Sequence, residues 1–199
     1  MAATIDYYVA LISPWCYLGS ARLKAIAARH GATVRVKPVK VGEVFAKTGG
    51  APLPQRPLER RNYRMQELQR WSRYLGMEMV LQPRNFPCDE TQAAYLVIAA
   101  QEAGGDALNL ATAFGRQLWE EDMNLGDLDA LRGTAFLAGI DADALLTAQS
   151  EESLAAIHTR NTEEALAAGV FGVPSYVLDG ELFWGQDRLD FLDRALGGE

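Results

Sequence analysis

Two hydrophobic periods alternate along this chain, and the points where one gives way to the other outline its elements. Residues 4–11, Thr4-Ile5-Asp6-Tyr7-Tyr8-Val9-Ala10-Leu11, are rich in β-branched and aromatic side chains and predict a strand. Helical spacing takes over at Pro14 and runs to His30, with Gly31 placed to close the helix. Thr33 to Val39 returns to strand character. A helix between two such strands is the βαβ unit of a parallel sheet. Gly49 to Pro57 is glycine- and proline-rich and predicts a loop. From about residue 58 to residue 168, Ala, Leu, Glu and Gln dominate at helical spacing, which predicts four to six helices and no strand. Breaks fall at Gln82–Pro87, Gly104-Gly105, Gly126-Asp127 and Gly139–Asp141. Phe171 to Leu189 reads as two short strands joined by Asp179-Gly180, a strong hairpin signal, and a last helix follows from about Asp187 to Leu196.

The order βαβ, helical segment, ββα is that of an α/β thioredoxin-like fold carrying a large all-helical insertion. Residues 1–50 and 169–199 would form the thioredoxin-like domain and residues 51–168 the insertion domain. A chain of 199 residues is long enough to bury a real core. The longest apolar run, Ala93–Ala100, is far shorter than the roughly 20 residues that span a bilayer, so no membrane segment is expected. The N-terminal residues lead into the first strand with neither a basic segment nor an apolar signal core, and a cytoplasmic location is the expectation. A net charge of −7 argues against nucleic acid as a general partner. One stretch runs the other way. Between Arg56 and Arg73 six arginines face only Glu59 and Glu67, which reads either as a solvated helix face or as an electropositive wall for a small anionic substrate. The two cysteines, Cys16 and Cys88, make neither a disulfide framework nor a metal site.

The chemistry concentrates where the first strand meets the first helix. Ser13-Pro14-Trp15-Cys16 has the form of a thioredoxin-type active-site turn in which serine stands where the attacking cysteine would be. A Cys-x-x-Cys pair there would carry out disulfide exchange, because the helix N-terminus lowers the thiol pKa and the second thiol resolves the mixed disulfide. Without the first sulfur, the geometry remains. Ser13 can cap the helix, Pro14 suits its first position, and the free N–H groups with the helix dipole favour an anion, such as a thiolate brought in by a ligand. Cys16 occupies the place of the second, less exposed cysteine and is expected to be inert packing. Val173-Pro174, directly before a strand, reads as the cis proline that lies opposite this turn in thioredoxin folds.

Ser13–Leu18, Phe171–Ser175 and Phe183–Leu189 together resemble the 2-hydroxychromene-2-carboxylate isomerase family, relatives of DsbA and of kappa-class glutathione transferases. The resemblance implies glutathione as cofactor. Ser13 would hydrogen-bond its sulfur and hold it as thiolate, and the Val173 backbone, beside Pro174, would pair with its cysteinyl part. Trp184, Gly185, Gln186 and Asp187 would bind its γ-glutamyl end. On the substrate side the family places a lysine and an Asn-Arg-like pair after the second strand. Gln55 and Arg56 are the nearest matches to the pair, and Phe45 falls at the lysine's position with Lys47 two residues on. The substrate carboxylate would seek Arg56 or Lys47, and Phe86 is a candidate wall for an aromatic ring. The implied activity is isomerisation of 2-hydroxychromene-2-carboxylate, with a kappa-like transferase or peroxidase and a DsbA-like thiol oxidoreductase as alternatives. A homodimer is an expectation by analogy.

Overall fold

In the computed structural model, which describes residues 2–198, a four-stranded sheet carries the two ends of the chain and helices fill the space between. Strands β1 (Thr4–Val9), β2 (Thr33–Pro38), β3 (Ser175–Leu178) and β4 (Glu181–Trp184) lie in the order β2-β1-β3-β4. β1 runs parallel to β2 and antiparallel to β3, which pairs antiparallel with β4. Both predicted strands of the N-terminal half are present, shorter at their C-terminal ends than the sequence suggested. The hairpin turns at Asp179 and Gly180, both at positive φ (50° and 86°), a conformation that Asp tolerates and Gly adopts freely.

Helix α1 (Pro14–His30) has the predicted bounds. Ser13 is its N-cap, Pro14 its first residue, and Gly31 closes it at φ 62°, its N–H bonding back to Ala27 and Ala28 carbonyls. A helix absent from the sequence reading, α2 (Val41–Thr48), follows β2. A 3₁₀ turn, Leu53–Gln55, sits inside the predicted loop. Six helices then occupy the predicted helical region: α3 (Leu58–Leu75), α4 (Thr91–Glu102), α5 (Ala107–Trp119), α6 (Leu128–Leu137), α7 (Ala142–Ala148) and α8 (Glu151–Ala167). After the hairpin a 3₁₀ turn, Gln186–Arg188, leads into α9 (Leu189–Gly197).

The main core joins sheet and insertion. Ile5, Tyr7 and Tyr176 from the sheet, Leu18 and Leu23 from α1, and Leu96, Leu110, Phe114 and Trp119 from the helical region belong to a single cluster of buried side chains. α4, whose every residue from Ala93 to Ala100 is buried, is the apolar run of the sequence turned into the spine of the insertion. α1 lies unusually close to the C-terminal half of the sheet. A Cβ on Gly19 would come 2.9 Å from the Tyr176 hydroxyl and 3.0 Å from the Gln186 Cβ. This contact holds the helix that bears Ser13 against the turn that follows β4.

Candidate active site

The register brings the predicted residues to one end of the sheet. Tyr8 of β1 stands opposite Ser175 of β3, so Ala10, just past β1, and Val173-Pro174, just before β3, lie at the same end of the sheet. The Val173-Pro174 bond is cis. Ala10 in turn accepts a hydrogen bond from the Ser13 N–H at 3.0 Å. The Gly185 N–H donates to the Pro174 carbonyl at 2.9 Å, and Ser175 pairs with Trp184. Ser13, Val173, Pro174, Trp184 and Gly185 therefore surround one edge of the sheet, over the N-terminus of α1.

Ser13 is only lightly engaged. Its Oγ accepts from the Cys16 N–H at 3.4 Å, long for such a bond, so the hydroxyl can turn to donate elsewhere at little cost. The first turn of α1 itself carries no acidic side chain. No histidine can activate the serine. His30 lies at the far end of α1, about 25 Å along the axis, where it bonds Asp193 at 2.7 Å. His158 is buried on α8. What the Ser13 hydroxyl can do there is donate a hydrogen bond to an acceptor at the helix end.

The chain's own thiol cannot take that place. Cys16 is 4% exposed, and burial pushes its thiol up to about 12, against the opposing pull of hydrogen bonds from Ser13 and Ala10. At neutral pH it is held as the thiol. Replacing Cys16 with Ala is expected to leave turnover within about twofold, while the small cavity costs about 1–2 kcal/mol of stability. Parallel rate and denaturation measurements check both.

The other predicted ligands are placed as follows. The Val173 N–H and carbonyl have no backbone partner among the described residues, so a free peptide group faces the site. Trp184 is half exposed and packs on Phe171, with ring centroids 4.7 Å apart. Gly185 adopts φ 101°, and Asp187, exposed, pairs with Arg188 at 2.8 Å. Gln186 turns inward. It is 2% exposed, and the Arg22 guanidinium donates to its carbonyl oxygen at 2.9 Å and to its side-chain oxygen. Only the other three residues of that segment present side chain or open backbone outward.

On the substrate side, Arg56 donates to the Ala51 carbonyl at 2.8 Å and lies 5.8 Å from the centre of the Phe45 ring. Phe86 packs on Trp119 and receives Arg64 over its face at 5.6 Å. Gln55 and Lys47 are exposed, and neither touches this group through a hydrogen bond or an ion pair. Of the six arginines between 56 and 73, Arg70 alone forms an ion pair among the described residues, with Glu67.

Arg64, which the sequence showed only as one of a run of arginines, lies here over Phe86, and Glu90, which the sequence did not point to, lies at the Ser13 turn. Partly buried between the insertion and the Ser13 turn, Glu90 accepts from the Ile12 N–H at 3.0 Å. Burial pushes its carboxyl up to about 7, against the N–H donors of Ile12 and Leu11. Because the folded value lies above the ordinary 4.5, the unfolded chain gives up the proton first. The group's contribution to stability is complete below about pH 4.5 and is lost as pH rises through about 7. Glu90→Gln keeps an acceptor for Ile12 and removes the titration. Its denaturation midpoint should stay level from pH 5 to 8 relative to the parent, which should lose about 1–3 kcal/mol over that range.

A family model described as a DSBA-like thioredoxin domain matches residues 4–197. A 2-hydroxychromene-2-carboxylate isomerase from Sphingobium xenophagum is 30% identical over 197 residues, covering 98% of this chain and 99% of the relative. The chain belongs to the DsbA-like 2-hydroxychromene-2-carboxylate isomerase family. A second isomerase of that name, from Pseudomonas putida, is 28% identical and matches 97% of this chain and 94% of its own length. A solved 2-hydroxychromene-2-carboxylate isomerase superposes with a TM-score of 0.82 at 26% identity, covering 98% of this chain and 95% of that one. Cytosolic disulfide reductase DsbM from Pseudomonas aeruginosa, solved with GSH, shares the fold at 20% identity and a TM-score of 0.70, covering 98% and 99%. The shared name of the curated relatives indicates an isomerase. No helix among the described residues is long and apolar enough to cross a membrane.

Proposed function

We propose that this chain is a glutathione-dependent isomerase that converts 2-hydroxychromene-2-carboxylate to trans-o-hydroxybenzylidenepyruvate, a step in breakdown of naphthalene-like aromatics. The observation that carries the reading is Ser13. Its hydroxyl caps the N-terminus of α1 beside a Val173 peptide group with no backbone partner among the described residues, while the thiol of that turn, Cys16, is buried and held well above the ordinary thiol range. Such a site fits a sulfur that arrives with a ligand. The relatives' name supports the substrate.

Bound glutathione would supply a thiolate that adds reversibly to a conjugated carbon, making a double bond rotatable, and that is released unchanged. The chain's residues provide the rest. Ser13 donates to the sulfur, and the positive end of the α1 dipole lies toward it. A hydrogen bond to a charged acceptor is worth about 1.5–3 kcal/mol, enough to move a thiol from about 8.5 to about 6.5–7.5 and make the thiolate abundant at neutral pH. Val173 offers its N–H and carbonyl to the peptide part, and Asp187 with Trp184 and Gly185 receives the γ-glutamyl end. Arg56 and the ring of Phe86 orient the aromatic acid.

The direct test of this site is an ultraviolet difference titration of the thiolate in the protein–glutathione complex. The bound thiol should titrate about one to two pH units below free glutathione, and Ser13→Ala should undo most of that shift, leaving the part due to the helix end. A bound thiol that titrates like free glutathione in the parent protein would remove Ser13 from this role. A kappa-like transferase would use the same site but consume thiol, and a DsbA-like oxidoreductase would depend on Cys16, whose burial disfavours it.

A further inference from the structure

Helix α3 turns one face toward α1. Leu68 on that face is fully buried, and Trp71 and Leu75 pack against the main core. The spacing 64, 68, 71, 75 is the stripe of a helix packed on one side, so Arg64 stands where the pattern calls for an apolar residue. It is there without a counter-charge. Among the described residues it forms no ion pair, and its one polar side-chain contact is the Met65 sulfur at 3.9 Å. Its guanidinium instead covers Phe86 at 5.6 Å. Burial, with the charge of Arg56 nearby, lowers its pKa to about 10. A half-buried arginine beside a second cation is unfavourable unless something anionic joins it.

The position relative to Ser13 is fixed by a short loop. Phe86, under Arg64, and Glu90, whose side chain accepts from Ile12 N–H at 3.0 Å, are four residues apart, so at most about 14 Å of chain lies between the guanidinium's platform and the residue that touches the Ser13 turn. Farther along α3, Trp71 receives Arg22 of α1 over its ring at 5.6 Å, which locks this face of α3 onto the helix that Ser13 caps.

We infer that Arg64 is the specificity-determining residue that binds the carboxylate of an aromatic acid, whose ring lies along Phe86, with Arg56 adding charge from the Phe45 side. The inference rests on the proposed reaction for its substrate, but the site is defined by its own chemistry: a guanidinium fork for a planar carboxylate and an aromatic wall.

The test is calorimetric titration of the full-length protein with trans-cinnamate and with neutral cinnamamide, for the parent, Arg64→Met and Arg60→Met. Methionine keeps most of the side-chain volume, and Arg60 is an exposed arginine on the same helix. Glutathione affinity equal to the parent's certifies that each variant keeps the fold. Arg64→Met should weaken cinnamate at least tenfold and leave cinnamamide unchanged, while Arg60→Met changes neither. Unaltered cinnamate binding in Arg64→Met, an equal loss in Arg60→Met, an equal loss for the amide, or no cinnamate binding by the parent would each overturn the inference. Should the parent bind cinnamate through Arg64 yet fail to convert 2-hydroxychromene-2-carboxylate, the carboxylate site stands and the proposed reaction falls.

Discussion

Ser13→Ala is expected to lower kcat/KM for glutathione-dependent isomerisation at pH 7 by about 10- to 25-fold, the fall in thiolate when the bound thiol returns from about 6.5–7.5 toward about 8.5. The loss should fall on the chemistry more than on the fold. As N-cap, Ser13 contributes about 1 kcal/mol to α1, in keeping with its long bond to the Cys16 N–H. A 17-residue helix with Pro14 at its start, Gly31 at its end and a buried face remains formed. The pH profile separates the roles. With Ser13 present, the reactive thiolate is already abundant near neutrality, and the rate should change little above about pH 7.5. Without it, the rate should climb with pH toward the thiol's own value of about 8.5, so the deficit narrows on the alkaline side. A deficit equal at all pH values would mean that Ser13 positions the ligand and does not stabilise its charge. Steady-state rates from pH 6 to 9 decide between these outcomes.

Gly19→Val is expected to cost about 3 kcal/mol or more of stability, a fall in Tm of about 6–12 °C for a chain of this size. The reason is the approach of α1 to the C-terminal half of the sheet. An added Cβ meets the Tyr176 hydroxyl at 2.9 Å and Gln186 at 3.0 Å, and both neighbours are buried with no room to retreat. Gly19→Ala sharpens the test through its sign. In an open helix position the change from glycine to alanine stabilises by about 0.5–1 kcal/mol, and Gly133 of α6, where an added Cβ would meet nothing within 4 Å, should behave so. At Gly19 the same change should destabilise. Thermal denaturation of the three variants checks this, and activity should fall with Gly19→Val as α1 moves off the turn at Gln186.

Much of this was legible because it is local. Ser13, Pro14 and Gly31 mark the ends of α1 by their own conformational preferences, and Asp179-Gly180 marks the hairpin in the same way. α2 went unseen for the complementary reason. It is eight residues long, Lys40 gives it no side-chain cap, and its one buried residue, Val44, is too little pattern to read. The site divides likewise. Ser13 and Val173-Pro174 announce themselves as motifs. The inward turn of Gln186 depends on Arg22, 164 residues away in the chain, and Glu90 reaches Ile12 across 78 residues. Arg64 was visible as one of a run of arginines. That it lies on the buried stripe of its helix, over Phe86 and without a carboxylate, is a fact of packing that charge counting does not contain.

A site that borrows its sulfur has a chemical corollary. An enzyme that regenerates the thiol needs no resolving cysteine, and a Cys16 held protonated beside Tyr7 and Ser13 is consistent with that. The cleft of about 350 Å³ between β2, α4 and α8 offers no competing centre. Its Lys37, Arg160 and Glu164 are already paired with one another or with Asp6.

The most direct measurement is a spectrophotometric assay of 2-hydroxychromene-2-carboxylate conversion, with and without added glutathione, while total free thiol is followed in the same samples. A site that borrows and returns glutathione predicts conversion that requires the tripeptide and proceeds at constant thiol. Conversion that is indifferent to glutathione, or that consumes thiol mole for mole, would contradict it.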